Sequence, residues 1–139
     1  MNDRIQFVCQ PHLDDKGEFT WPADETDRNE LASRLFGACV IAGMDYWIEQ
    51  ALPAMQEFSA DQQSKIKKLL FQTVSGVVFS ILVKLDQFPH ANLDLVLSNL
   101  ENDAKIASII EGDIFDLHDR LANWLDEFSN FPAEFCGQP

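Results

Sequence analysis

Between Pro53 and Pro89 the chain holds no proline, and the later part of that interval, LLFQTVSGVVFSILVKL from Leu69 to Leu85, is apolar on most of its sides. A run of this length exceeds an ordinary strand and reads as one helix. A membrane span needs about 20 predominantly apolar residues, whereas this stretch is shorter and interrupted by Gln72, Thr73, Ser75, Ser80 and Lys84. The expectation is therefore a helix buried inside a domain that stays out of the membrane. Ser59 followed by Gln62 has the spacing of a capping box and places the start of this helix. Lys65, Lys67 and Lys68 form a short basic collar ahead of the apolar run, and Pro89 closes the helix near Leu85, since a residue before proline is pushed out of helical geometry.

A second long helix is expected upstream. Asp24 and Thr26 are candidate N-caps, and Asp27 and Glu30 lie where a helix N-terminus favours negative charge. Leu31, Leu35, Ala38, Ile41 and Ala42 recur at helical spacing, and Phe36, Val40, Met44 and Trp47 make another stripe, so this helix should be touched on several sides. Pro53 ends it near Leu52. Residues 1–23 contain Pro11, Gly17 and Pro22 and show no sustained period. They read as an N-terminal arm, with a short extended piece at Ile5–Cys9.

Residues 92–110 fit two readings. Leu93, Leu95 and Leu97 alternate as in a strand, and Ile106 to Ile110 suits a returning one, while Leu93, Val96, Leu97, Leu100, Ala104 and Ala107 also fit a helix. Turn chemistry at Glu101-Asn102-Asp103 favours the β-hairpin. After Gly112, Asp113 is placed to cap a last helix whose Ile114, Leu117, Leu121, Trp124 and Phe128 share one face. Asp116, Asp119, Asn123, Asp126 and Glu127 face outward, and residues 131–139 form a C-terminal tail. The fold expected over residues 1–139 is one mainly α, compact helical domain of three or more helices, with a hairpin before the last.

Charge limits the partners. The 23 Asp and Glu against 10 Lys and Arg give a net charge of −13, distributed as −5 over residues 1–30, +1 over 31–85 and −9 over 86–139. Acidic surfaces of this kind repel phosphate, so nucleic acid is not an expected partner, and attract basic proteins. Trp21 and Phe88, aromatic and close to acidic residues, suit anchoring positions beside the acids Asp113, Asp116, Asp119, Asp126 and Glu127. Phe19, Phe131 and Phe135 have the same setting. Cys9, Cys39 and Cys136 are odd in number and widely spaced, which points to reduced thiols rather than a disulfide framework. Met1–Gln10 carries Asp3 and Arg4 and no apolar run of signal-peptide length, so a cytoplasmic location is expected.

Chemical motifs are few. Glu111, Asp113, Asp116, His118 and Asp119 cluster within nine residues, and a metal-dependent hydrolase built on Asp113, Asp116, His118 and Asp119 is the enzymatic alternative. A solvated acidic helix with His118 at the core edge and an Asp116–Arg120 pair is the plainer account. Asp45 stands in an almost uncharged stretch and needs a partner if it is buried, for which Lys84 in the apolar helix is one candidate. No phosphate-binding loop, nucleophile elbow or paired-cysteine zinc pattern occurs. No catalytic residue and no cofactor is expected.

The segment VVFSILVKLDQFP, followed by a hairpin and then DIFDLHDRLANWLDEFS, resembles a pattern in small bacterial proteins. The apolar helix ending in Leu85-Asp86 and the later Leu117-His118-Asp119 helix resemble those of small immunity proteins of toxin–immunity systems. The resemblance covers about residues 74–129. It implies a protein-binding role, with a toxin as the bound partner and the two short motifs serving structure. A subunit of a homodimer, with the apolar helix completing its burial across a twofold axis, is a further alternative.

Overall fold

The computed structural model describes residues 3–86, 96–109 and 117–131. They form helices α1 (Asp3–Cys9), α2 (Glu25–Ala51), α3 (Ala60–Asp86) and α4 (Leu117–Phe128), with strands β1 (Val96–Ser98) and β2 (Lys105–Ser108) between the last two helices. The fold is mainly α, with the hairpin before the last helix as expected. Helix α2 is the hub, touched by α1, α3, α4 and β2.

Its start is fixed locally. Asp24 has extended backbone geometry and its side chain accepts from the N–H groups of Thr26 at 2.9 Å and Asp27 at 3.2 Å, so Asp24, not Thr26, is the cap. A 3-10 turn at Leu52–Met55 follows the last turn, because Pro53 removes a donor from the ladder. The buried positions Leu31, Ala38, Ile41, Asp45 and Ile48 step along one face. The expected second stripe is only half used: Phe36 packs edge-on to Trp124, whereas Trp47 is 69% exposed. The capping box of α3 forms as the spacing predicts, with Ser59 N–H donating to Gln62 Oε1 at 3.0 Å and Gln62 N–H to Ser59 Oγ at 3.4 Å.

Two expectations are corrected. Residues 3–9 are helical, not extended, and Val8 is fully buried in the core with Ile5 packed beside it. Seven residues hold too few periods to be read as a helix, and such a helix is stable only when docked. Helix α3 is not enclosed either. It packs through Phe71, Val74, Val78 and Leu82, its other side is covered by no described residue, and 11% of its apolar stretch is buried. By length and composition alone, Glu25–Met55 and Ala60–Leu85 are both able to cross a membrane. The expected closure at Phe88–Pro89, the cap at Asp113 and the tail at 132–139 lie outside the described residues.

The hairpin pairs Val96 with Ser108, Leu97 with Ala107 and Ser98 with Lys105, with a register shift between Leu97 and Ser98. Its turn is closed by Asn99 N–H to Ala104 O and Asp103 N–H to Asn99 O, both 2.9 Å, with Asp103 left-handed at φ 54°. Helix α2 holds it: Ser108 N–H donates to Asn29 Oδ1 at 2.8 Å and Arg28 Nε to Ile106 O at 3.1 Å. Helix α4 buries Leu117, Leu121, Trp124, Leu125 and Phe128. It runs antiparallel to α3, with His118 edge-on to Phe79 and Phe131 against Phe71. Trp124 lies directly over Gly37, where a Cβ would collide with the indole ring.

That contact generates a paired test. Gly37→Ala should destabilise the fold by about 1–3 kcal/mol through overpacking, whereas Gly43→Ala, in the same helix but facing open space, should stabilise it by about 0.5–1 kcal/mol through helix propensity. Urea unfolding of both variants measures the difference.

Candidate functional site

Asp45 is the most heavily engaged carboxylate of the described chain. It is 1% exposed, and its oxygens accept from Arg4 Nη2 at 2.5 Å, Ser129 Oγ at 3.2 Å and the Asn130 N–H at 2.7 Å. Arg4 Nε donates onward to Phe128 O at 2.5 Å, and Asn130 Nδ2 to Glu49 Oε1 at 3.2 Å. The cluster joins α1, α2 and the end of α4. The partner expected from sequence, Lys84, is exposed and far along α3, so the Asp45–Lys84 pair is replaced by Asp45–Arg4. No local spacing announces a pair separated by 41 residues.

Burial pushes the Asp45 carboxyl above its ordinary value, opposed by the Asn130 N–H, the Arg4 guanidinium and the Ser129 hydroxyl, with Glu49 adding to the rise. Neither the groove along α3 nor the pocket between His12 and Arg34 is lined by a residue of this cluster. Its role is to hold three segments together.

The proposed contact residues are distributed unevenly. Asp119 and Asp126 are exposed on α4, seven residues apart and so on one face. Glu127 is exposed as well but paired with Arg34. His118 Nε2 lies 3.4 Å from Asp119 Oδ1 at the seam of α3 and α4. Arg120 donates to Glu30 Oε2 at 2.9 Å and Ser33 Oγ at 2.8 Å, fastening α4 to α2. Trp21 is half-buried against the core and edge-on to Phe19 at 5.1 Å, so it is not a free anchor. Phe88, Asp113 and Asp116 lie outside the described residues. Among the described residues no three His, Cys, Asp or Glu side chains converge as a metal site.

Other aromatics are the ones at the surface. Phe7, Tyr46, Trp47, Phe58 and Phe79 are exposed, and Tyr46 packs edge-on to Trp47 at 5.4 Å. The sequence put Trp47 in a packed stripe, but no described element covers that turn. Cys9 is half-buried, with its thiol pushed up by burial, and Cys39 is exposed. No protein-family model, no curated protein and no solved structure matches the chain.

The Asp45 cluster carries a stability prediction. Arg4→Ala removes the cation from a buried carboxylate and should cost on the order of 3 kcal/mol. Because the folded chain binds the Asp45 proton more tightly than the unfolded chain, the stability this group contributes is present at low pH and lost as pH rises through the raised value. Wild type compared with Asp45→Asn by urea unfolding should therefore show an advantage that shrinks as pH rises above the ordinary carboxylate range. A growing advantage contradicts burial as the dominant effect.

Proposed function

We propose that this protein is a non-enzymatic, acidic interaction module that binds a basic protein, with a bacterial toxin domain as the partner class and an immunity function as the consequence. The single observation that carries this reading is the outer face of α4, where Asp119 and Asp126 project to solvent while the nearby arginines Arg120 and Arg34 are engaged by Glu30, Ser33 and Glu127. Those arginines are thus committed to groups other than Asp119 and Asp126. The net charge of −13, carried by residues 1–30 and 86–139, adds to the same field. A field of this sign raises the encounter rate with a basic surface and rejects acidic ones, while aromatic contacts slow dissociation. The cytoplasm is the compartment this reading calls for, and it needs no metal or cofactor.

The experiment is capture on the tagged chain from lysate of its own organism at low and at high salt, followed by kinetics with the purified partner. A stoichiometric basic protein is expected, released by salt. Its association rate should fall at least about tenfold between about 50 and 500 mM salt, and by a similar factor in the double variant Asp119→Lys/Asp126→Lys. Both positions are exposed, so thermal unfolding of that variant should match wild type. A rate indifferent to salt and to charge reversal defeats the electrostatic reading.

A further inference from the structure

Helix α1 is held to the molecule along one side. Ile5 and Val8 pack into the core and Arg4 reaches the Asp45 cluster, while Asp3, Gln6 and Phe7 face solvent. A helix of seven residues does not persist once undocked. The segment that follows has anchors of its own: Thr20 N–H donates to His12 O at 2.9 Å, Leu13 bridges Phe19, and Arg28 donates to Pro22 O and Ala23 O. The 3-10 turn Gln10–His12 is thus the place where α1 can swing from the rest.

The protonation of Asp45 sets how firmly α1 is held. Its Oδ2 accepts from Arg4 Nη2 at 2.5 Å and from the Asn130 N–H at 2.7 Å, two groups that donate and cannot accept. Its Oδ1 meets a group of another kind, the Ser129 hydroxyl at 3.2 Å, which donates to a carboxylate and accepts from a carboxylic acid. A proton on Oδ1 therefore sacrifices no hydrogen bond of Asp45. Ser129 Oγ receives it on one lone pair, the other taking the Phe131 N–H at 3.1 Å, and Oδ2 keeps both of its donors. Charge points the same way. Among the described residues the charged groups facing Asp45 are Arg4 from α1 and Glu49 from its own helix, and the end of α4 brings the neutral Ser129 and Asn130. With Asp45 neutral, Arg4 and Glu49 balance; with Asp45 ionised, the cluster is left net negative and its two carboxylates repel.

We propose that α1 is a proton-operated latch, closed while Asp45 holds a proton on Oδ1 and loosened when that proton passes to water. On opening, Asp45 regains water and loses Arg4, and the apolar seat of Ile5 and Val8 is uncovered beside it. Burial, the largest effect on Asp45, raises its proton affinity in the closed form. Closing therefore takes up a proton, so it is favoured at low pH and is lost as pH climbs from the ordinary carboxylate range through the raised value.

Amide hydrogen exchange of the full chain between about pH 4 and 8, corrected at each pH for the intrinsic rate, reads the latch directly. The N–H groups of Phe7, Val8 and Cys9 should be protected at least about tenfold less than those of the buried Ile41 and Ile48 in α2. Their protection should fall with pH by up to about tenfold per unit, the limit for release of one proton. The carboxyl carbon shift of Asp45, followed by NMR, should titrate over the same range. Asp45→Asn puts an amide NH2 where the acid carries its proton, and should keep α1 protected while removing the pH dependence. Protection of α1 that is flat or rises with pH overturns the latch, as does exchange of α1 only together with α2. A fall in protection that survives in Asp45→Asn, or that does not coincide with the titration of Asp45, overturns it as well.

Discussion

Asp45 sits in the wall of α2 with almost no contact with water, and three donors from two other parts of the chain converge on it. A carboxylate taken out of water costs several kcal/mol, which only a cation and well-placed hydrogen bonds offset. Arg4 supplies the cation and Ser129 and Asn130 the bonds, so the penalty is met only when α1 and the end of α4 are docked at the same turn of α2. The first helix, seven residues long, has no independent means of persisting. Its position, and with it the cover over Val8, follows from this one group.

The arginines and lysines are used differently. Arg4 and Arg28 reach backbone carbonyls, and Arg34 and Arg120 bind acids across the α2–α4 interface. A planar guanidinium satisfies several acceptors at once and tolerates partial burial, which a compact, strongly hydrated ammonium does less well. Lys65, Lys67, Lys68 and Lys84 all lie on α3. The division leaves an acidic outer face on α4 and a basic-ended apolar strip on α3, two surfaces that cannot serve the same partner.

Among the described residues, too few elements surround α3 to wrap it. A helix of 27 residues is packed by α4, 12 residues long, and more lightly by α2. Its apolar residues occur around most of its circumference, while its described neighbours lie on one side. Hydrophobicity on every face therefore predicts a need for burial, not the burial itself.

Signals carried by neighbouring residues were legible in the sequence: the Asp24 cap, the Ser59–Gln62 capping box, the halt at Pro53, the hairpin around Glu101–Asp103 and the single apolar face of α4 from Leu117 to Phe128. Each depends on contacts within a few positions, where spacing and side-chain chemistry decide the outcome. The acidic character of the surface was legible too, because composition fixes net charge whatever the fold. The tertiary structure alone decided that residues 3–9 are helical, that Asp45 pairs with Arg4 instead of Lys84, that Trp21 is packed and Trp47 open, and that one side of α3 is covered by no described residue. Those outcomes rest on residues brought together from 41 to 85 positions apart, or on the absence of a neighbour, and neither leaves a mark in local sequence.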